Sequence, residues 1–456
     1  MNTAVAFLSE KFAPRINKLT QNAWVQGLQT AMLGLLPFIL AGSIITLVGL
    51  IPGVTRAVPS VGDINSYTFG MLGIFAAFLI PFSILDKMGG HSRKMIGGLT
   101  GIGLFLFLLK PALDADGIAS LEFAKLGAGG MFVSIVGGVV IAAAFHLFAK
   151  FSFFKNNTAL PSFVINWFDS LLPILCVMTA GWLVSSVGHL DAFQAIVDLF
   201  YPLTSIAQTY PGFLLLTFAP IFFYSFGVSG WVLFPLCFPI WMDAVQQNAQ
   251  NGTEHIFTYE VVYVGFTMIG GMGCTLLLVA LMCFRARSQR LRVIGRATAV
   301  PSLFNINEPV IFGAPVAFNP LLMIPLWLNG LVIPSLTYFA LDSGLVPVPG
   351  KVFSLWYLPY PVGAFVVSGI AGALLVLALA AVSLALWFPF FRAYDSQVLA
   401  EERAEAEQAA AREAEQTVAE AARDCARSQA PHAESLSAPA PTAADAPGAL
   451  PAGRDT

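Results

Sequence analysis

The chain has 456 residues, of which 57% are hydrophobic and only 11% charged, with a net charge of −3 and a mean hydropathy of +0.76. Soluble domains carry close to 25% charged residues, so this composition excludes an ordinary globular protein, and the balance of charge gives no argument for a nucleic-acid partner. The class it leaves is a polytopic membrane protein, because many apolar stretches are long enough to cross a hydrocarbon core of roughly 30 Å.

At the N-terminus, Lys11, Arg15 and Lys18 precede a long apolar run with no small-residue cleavage site. This reads as a retained cytoplasmic start rather than a signal peptide. Spans are predicted near 24–50, 67–85, 95–113, 126–149, 169–187, 211–226, 230–247, 260–284, 317–341 and 362–391. The stretch 211–247 is divided because Gly227 and Gly230 flank a break and Pro211, Pro220, Pro235 and Pro239 punctuate it; both residue types interrupt helices.

Charge distribution tests that division. Lys and Arg gather in the N-terminal segment, in the loop from Lys87 to Lys94, at Lys150 and Lys155, and in the run Arg285, Arg287, Arg290, Arg292 and Arg296. Under the positive-inside rule all four groups belong to the cytoplasm. The loops near 51–66, 114–124, 188–199 and 242–259 are poor in Lys and Arg and belong outside. Ten spans with both termini cytoplasmic satisfy every loop.

Two segments fit no span and read as re-entrant hairpins: 297–316 on the inner side and 342–361 on the outer side. Irregular backbone at membrane depth is tolerated only where protein or a water-filled cavity satisfies it, so Pro-broken segments of this kind point to a transport site. Residues 188–210 read as an amphipathic connector between an N-terminal half (1–187) and a C-terminal half (211–395). Beyond them, 396–430 is a charged helix rich in Ala, Glu and Arg, and 431–456 is an Ala/Pro/Ser tail with the composition of disorder.

The inner hairpin holds the chemistry. Glu308 is the sole acidic residue between Glu260 and Asp342, and ionisable groups at membrane depth mark functional sites by default. It precedes Pro309, which biases Glu308 away from helical backbone while suiting Pro309 to a first helical turn. A broken helix restarting at Pro309 would aim the carboxylate at the break, beside the positive end of the helix dipole. An ionised carboxylate only accepts hydrogen bonds, which suits the hydroxyls or acetamido N–H of a sugar. Asn305 and Asn307 add donors and acceptors, and Phe304, Phe312, Trp231, Trp356, Tyr357 and Tyr360 offer flat faces for pyranose rings. The competing structural readings are an ion pair of Glu308 with an arginine such as Arg296, helix caps for the two amides, and interfacial anchoring for the aromatics.

The five cysteines show no C-x-x-C spacing; Cys176, Cys237, Cys274 and Cys283 lie in apolar runs as small buried hydrophobes, and Cys425 lies in the polar tail. No metal site or cofactor is expected.

The run Phe304-Asn-Ile-Asn-Glu-Pro-Val-Ile-Phe-Gly313, followed by Phe318-Asn-Pro320, resembles the signature of enzyme IIC, the membrane component of the lactose/cellobiose/diacetylchitobiose branch of the bacterial phosphotransferase system. Glu10–Leu19 resembles that family's amphipathic N-terminal segment, and Gln289–Arg296 the basic lead into its first hairpin. The resemblance covers roughly residues 5–395. It implies an all-α, ten-span homodimer with two re-entrant hairpins, a dimerising N-terminal half, and a sugar-binding C-terminal half that moves as an elevator. It places the family glutamate at Glu308. It also implies delivery of the sugar to a separate phospho-cysteine enzyme IIB, with no phosphorylatable residue of this chain's own. The family's Phe-Gly-x-His-Gly motif stands here as Phe226-Gly-Val-Ser-Gly230, with Ser229 in the histidine's place and Gly230 and Trp231 following. Serine can bond a sugar but is no base at neutral pH.

The expected function is thus a permease for a β-linked or N-acetylated disaccharide in the bacterial inner membrane. A non-phosphorylating carrier on the same scaffold and a sugar-sensing receptor with a cytoplasmic output helix are the alternatives. A membrane enzyme acting alone would need both a general acid and a general base, and the sequence offers one convincing intramembrane carboxylate.

Overall fold

The computed structural model describes residues 18, 21–49, 51, 63–113, 116, 119–150, 162–252 and 255–428. The expected amphipathic segment Glu10–Leu19 lies outside them except for Lys18, as do Lys155 and the tail 431–456. The α-helices among the described residues are α1 (Ala23–Gly49), α2 (Asp63–Thr68), α3 (Leu72–Lys87), α4 (Lys94–Leu109), α5 (Met131–Phe148), α6 (Ser162–Trp182), α7 (Ala192–Gln208), α8 (Tyr210–Ser225), α9 (Phe234–Asn251), α10 (Thr275–Arg285), α11 (Gln289–Leu303), α12 (Glu308–Gly313), α13 (Pro320–Asp342) and α14 (Tyr360–Ser428), the last kinked at Gly369, whose φ is 66°. The all-α expectation holds apart from one two-residue antiparallel pair, β1 (Ala112–Leu113) with β2 (Ala119–Ser120).

Among the described residues, six helical stretches are long and apolar enough to cross a membrane: Ala23–Gly49, Asp63–Lys87, Ala128–Phe148, Val164–Val187, Pro320–Asp342 and Tyr360–Ala419. The pair α7 and α8, bent by 88° between them, makes a seventh if counted as one, and α4 and α10 are shorter apolar helices. Their outward faces stay apolar: Leu215 is 63% exposed, Ile370 71% and Leu374 62%. Such surface is stable only against lipid or another apolar surface. Cys176, expected to be buried, is exposed on α6 beside Leu171 and Leu175, which are exposed as well.

Residues through Leu399 form one compact unit, and Ala400–Thr456 a second. In the first, α3 is central to the N-terminal half, packing on α1, α4 and α5. The Ser134 hydroxyl of α5 donates to the Gly73 carbonyl of α3 at 2.7 Å, which satisfies a polar group among apolar helices. Where the α3–α4 loop meets α6, Arg93 pairs with the buried Asp169 at 3.2 Å. In the C-terminal half α8 packs on α13 and α10 on α11. Most of the stretch 188–210 is the helix α7, capped by Asp191, which accepts from the Gln194 N–H at 3.0 Å. In the second unit the described side chains through Ala419 lie mostly in water-facing positions, as the Glu/Arg-rich composition requires.

The sequence expectation fails at 260–284, which is not one continuous span. A π-helical turn, Glu260–Gly265, leads into an irregular stretch before α10 begins at Thr275. Gly270, Gly271 and Gly273 hold φ of 74°, 103° and 78°, and Cys274 holds 55°, so the right-handed helix cannot pass through. The break between α8 and α9 falls where Gly227 and Gly230 placed it.

The basic loop before α11 is tied to α14. The Asp395 carboxylate accepts from the Arg287 N–H at 2.9 Å and the Ser288 N–H at 3.0 Å, and its residue is only 4% exposed. Removing this acceptor strands buried donors, so Asp395→Ala is expected to destabilise the protein by about 2–4 kcal/mol. Thermal unfolding of the purified chain in detergent checks this, and an unchanged midpoint would show the clamp to be dispensable.

Candidate functional site

Residues 297–316 form a helix–break–helix turn interrupted just before Glu308 and Pro309. Helix α11 stops at Leu303, four residues follow in irregular backbone, and α12 restarts with Glu308 as its first residue and Pro309 as its second. Asn305 makes the reversal in the left-handed region, at φ 64°, which asparagine tolerates better than other non-glycine residues.

This turn borders a cavity of about 220 Å³. Four breaks in helical structure converge there: the hairpin with Asn305, Asn307, Glu308 and Phe312; the α8–α9 break with Gly227, Ser229, Gly230 and Trp231; the unwound stretch with Met268, Gly271 and Met272; and the outer segment with Trp356 and Tyr360. Tyr224 and Tyr263 complete the wall. Close approach explains two of the glycines. A Cβ on Gly271 would fall 2.4 Å from Asn307 Cγ, and one on Gly230 would fall 2.2 Å from Met272 Sδ.

Glu308 is exposed into this space, and among the described residues it forms no ion pair or hydrogen bond, so the alternative pairing with Arg296 is not made. Its position at the first residue of α12 puts it at the positive end of that short helix, which favours an anion. The carboxylate is therefore free to accept from a ligand.

The two asparagines divide their work. Asn305 spends its amide on the protein: Oδ1 accepts from the Gly270 N–H at 3.0 Å, and Nδ2 donates to the Trp356 and Leu358 carbonyls, the latter at 2.8 Å. Asn305 thus lines the cavity while its amide ties residues 304–307 to Gly270 and to the 356–358 segment. Asn307 donates once, to the Met272 carbonyl at 3.0 Å, leaving its carbonyl oxygen and second N–H toward the cavity it lines. Ser229 caps the short turn Gly230–Leu233 by accepting from the Trp231 N–H at 3.4 Å, and its hydroxyl proton is left to point elsewhere.

Of the predicted aromatic faces, Trp231, Trp356, Tyr360 and Phe312 line the cavity, whereas Phe304 and Tyr357 do not. Phe304 is 42% exposed; it sits before the left-handed turn at Asn305, which sends its side chain away from the chamber. Trp231 stacks on Tyr263 at 5.6 Å with planes 9° apart, and Tyr224 meets Phe312 edge-on at 6.2 Å. The Tyr224 hydroxyl is buried and has no hydrogen-bond partner among the described residues. Tyr224, Tyr263, Met268, Gly271 and Met272 were not anticipated. The triplet Gly270-Gly271…Gly273 was the available signal, masked by the apolar residues around it.

One acceptor carboxylate, a partly free amide, a hydroxyl and flat aromatic walls form a receptor for a neutral, hydroxyl-rich molecule rather than a catalytic dyad. The comparisons with known proteins agree with that chemistry. The chain resembles the lichenan permease IIC component of Bacillus subtilis (strain 168), with 28% identity over 88% of this chain and 96% of that one. It is 26% identical to the lactose-specific EIICB component of Staphylococcus haemolyticus (strain JCSC1435), over 89% of this chain and 73% of that one. Its fold is similar to that of the crystal structure of ChbC, the IIC component from the N,N'-diacetylchitobiose-specific phosphotransferase system. That match has a TM-score of 0.77 and 26% identity, and covers 87% of this chain and 99% of the other. Residues 29–330 match the family described as Phosphotransferase system, EIIC, a span that includes the whole inner hairpin and the α8–α9 break, and on that ground this integral membrane chain belongs to the EIIC family of sugar permeases.

Proposed function

We propose that this permease moves a β-linked or N-acetylated disaccharide across the bacterial inner membrane, with Glu308 as the principal sugar ligand. The observation that carries this is an unpaired carboxylate opening into a chamber walled by Trp231, Trp356 and Phe312. Asn307 and Ser229 add hydrogen bonds to sugar hydroxyls, and Gly230 lets the chain approach. The relatives bearing the words lichenan, lactose and N,N'-diacetylchitobiose support a glycan substrate of this size class.

The fuller architecture belongs to the same reading. Ten spans with both termini cytoplasmic, two re-entrant hairpins, a homodimer formed through residues 1–187, and residues 211–395 travelling as an elevator on the 188–210 connector account for the loop charges and the broken helices together. Helix 396–430 and tail 431–456 then lie on the cytoplasmic side. The designation EIICB of the Staphylococcus relative joins IIC with IIB; for this chain we infer the same chemistry from a separate phospho-cysteine IIB protein. In that step a sugar hydroxyl oxygen forms the bond to phosphorus, the S–P bond breaks, and the departing cysteine sulfur takes up the displaced hydroxyl proton.

Ser229 favours a second reading, passage without phosphorylation, because no histidine stands there to receive the hydroxyl proton. Vesicle uptake of labelled cellobiose and diacetylchitobiose decides between them. Sugar phosphate is expected inside only when phosphoenolpyruvate, the soluble phosphocarriers and IIB are present. Free sugar as the sole product under both conditions would establish the unphosphorylated route.

A further inference from the structure

A second cavity of about 260 Å³ opens toward the C-terminal end of α9, lined among others by Phe132, Tyr201, Ser205, Asp243, Gln247 and His255. The two cavities share no lining residue. Three parts of the fold make it: α5, the connector α7, and the end of α9 with the segment after it.

Its polar groups are ordered before any guest arrives. Gln247 Nε2 donates to Asp243 Oδ2 at 2.7 Å, and the amide's oxygen lies 2.9 Å from His255 Nε2. An amide oxygen only accepts, so that imidazole nitrogen carries the proton. The His255 backbone is held in turn, its N–H donating to Asn248 Oδ1 at 2.9 Å and its carbonyl accepting from Asn248 Nδ2 at 2.8 Å. Gln208 pins the end of α7 by a pair of bonds with the Phe257 backbone, at 2.8 and 3.2 Å. Asp243 Oδ1 and the Ser205 hydroxyl take no other partner among the described residues, and the rings of Tyr201 and Phe132 add flat apolar wall.

A fixed acceptor carboxylate beside a hydroxyl and aromatic faces repeats the recipe of the Glu308 chamber. Such a site repels anions, and an apolar guest would strip water from Asp243 without replacing its hydrogen bonds. The fitting guest is a neutral polyhydroxyl molecule. We propose that this cavity is a second carbohydrate site, which receives the sugar on the outer side before it reaches Glu308. The proposal rests on the sugar reading above and on the outer placement of the 242–259 loop.

Equilibrium binding of labelled cellobiose and diacetylchitobiose to the full chain in detergent tests it. Two sites of unequal affinity per chain are expected. Glu308→Gln should weaken the tighter one by roughly tenfold to a hundredfold, and Asp243→Asn should weaken the other by about tenfold or more while leaving the tighter affinity intact, which also certifies folding. Ser205→Trp, filling the cavity without disturbing the Asp243 bonds, should abolish the weaker site. A single site per wild-type chain, or a weaker site indifferent to both Asp243→Asn and Ser205→Trp, overturns the proposal and spares the permease reading. Two sites whose affinities are both unchanged by Glu308→Gln would instead refute the assignment of Glu308, and no binding of either sugar would refute both.

Discussion

Glu308→Gln is expected to lower disaccharide affinity by roughly tenfold to a hundredfold, the loss of about 1.5–3 kcal/mol for hydrogen bonds to a charged acceptor. The thermal midpoint should stay where it is, because no protein group among the described residues depends on this carboxylate. That combination separates a ligand-facing acid from a structural one. If Glu308 were a stabilising ion-pair partner, the substitution would leave a buried guanidinium uncompensated and cost several kcal/mol of stability. Isothermal titration with the sugar and thermal unfolding of the same preparation measure both quantities. A lowered midpoint with unchanged affinity would sink the assignment.

Asn305→Ala should have the opposite signature. Its side chain makes three hydrogen bonds to backbone groups of two other segments and the residue is buried. Deleting the amide orphans the Gly270 N–H and the Trp356 and Leu358 carbonyls, and alanine tolerates φ 64° less well than asparagine. A destabilisation of at least about 3 kcal/mol follows from the unsatisfied groups. Sugar binding should fall with it, since the outer segment bearing Trp356 loses its tie to the hairpin. Adding sugar should restore part of the midpoint if the cavity can still form, by mass action on the folded state. An Asn305→Ala protein with wild-type stability but weakened binding would return Asn305 to the role of direct ligand.

These two neighbours in the chain show where sequence reasoning reaches and where it stops. Both were marked as sugar ligands for the same reason, polarity in an apolar setting. The side chain of one opens into the chamber; the other turns into protein. A turn with φ near 64° sets the direction of Asn305, and no pattern of residue types reports that angle. Phe304 and Phe312 divide in the same way across the turn.

The break at 226–229 was legible because Gly and Pro act locally, on the backbone they belong to. The unwinding at 266–274 was harder to see, since Ile269, Met272 and the leucines after Thr275 keep the stretch apolar. Hydropathy reports the solvent a segment prefers, and an unwound segment packed against protein prefers the same interior as a helix. The charge of Asp243 was visible in sequence, but that it lines one cavity with Ser205 of α7 and with His255 depends on segments distant in the chain.

The amino-acid sequence by itself determined the membrane class, the helical character, the breaks at 226–230 and 304–307, and the isolation of Glu308 as an acid in an apolar stretch. Each of these follows from transfer free energy, backbone stereochemistry or the burial cost of a charge, properties that reside in a short stretch of chain. Only the tertiary structure decided which side chains face the chamber, that Asn305 is a clamp, that Tyr224 and Tyr263 complete the wall, and that a second polar cavity exists. Those depend on the meeting of segments distant in the chain, where packing rather than local preference sets direction.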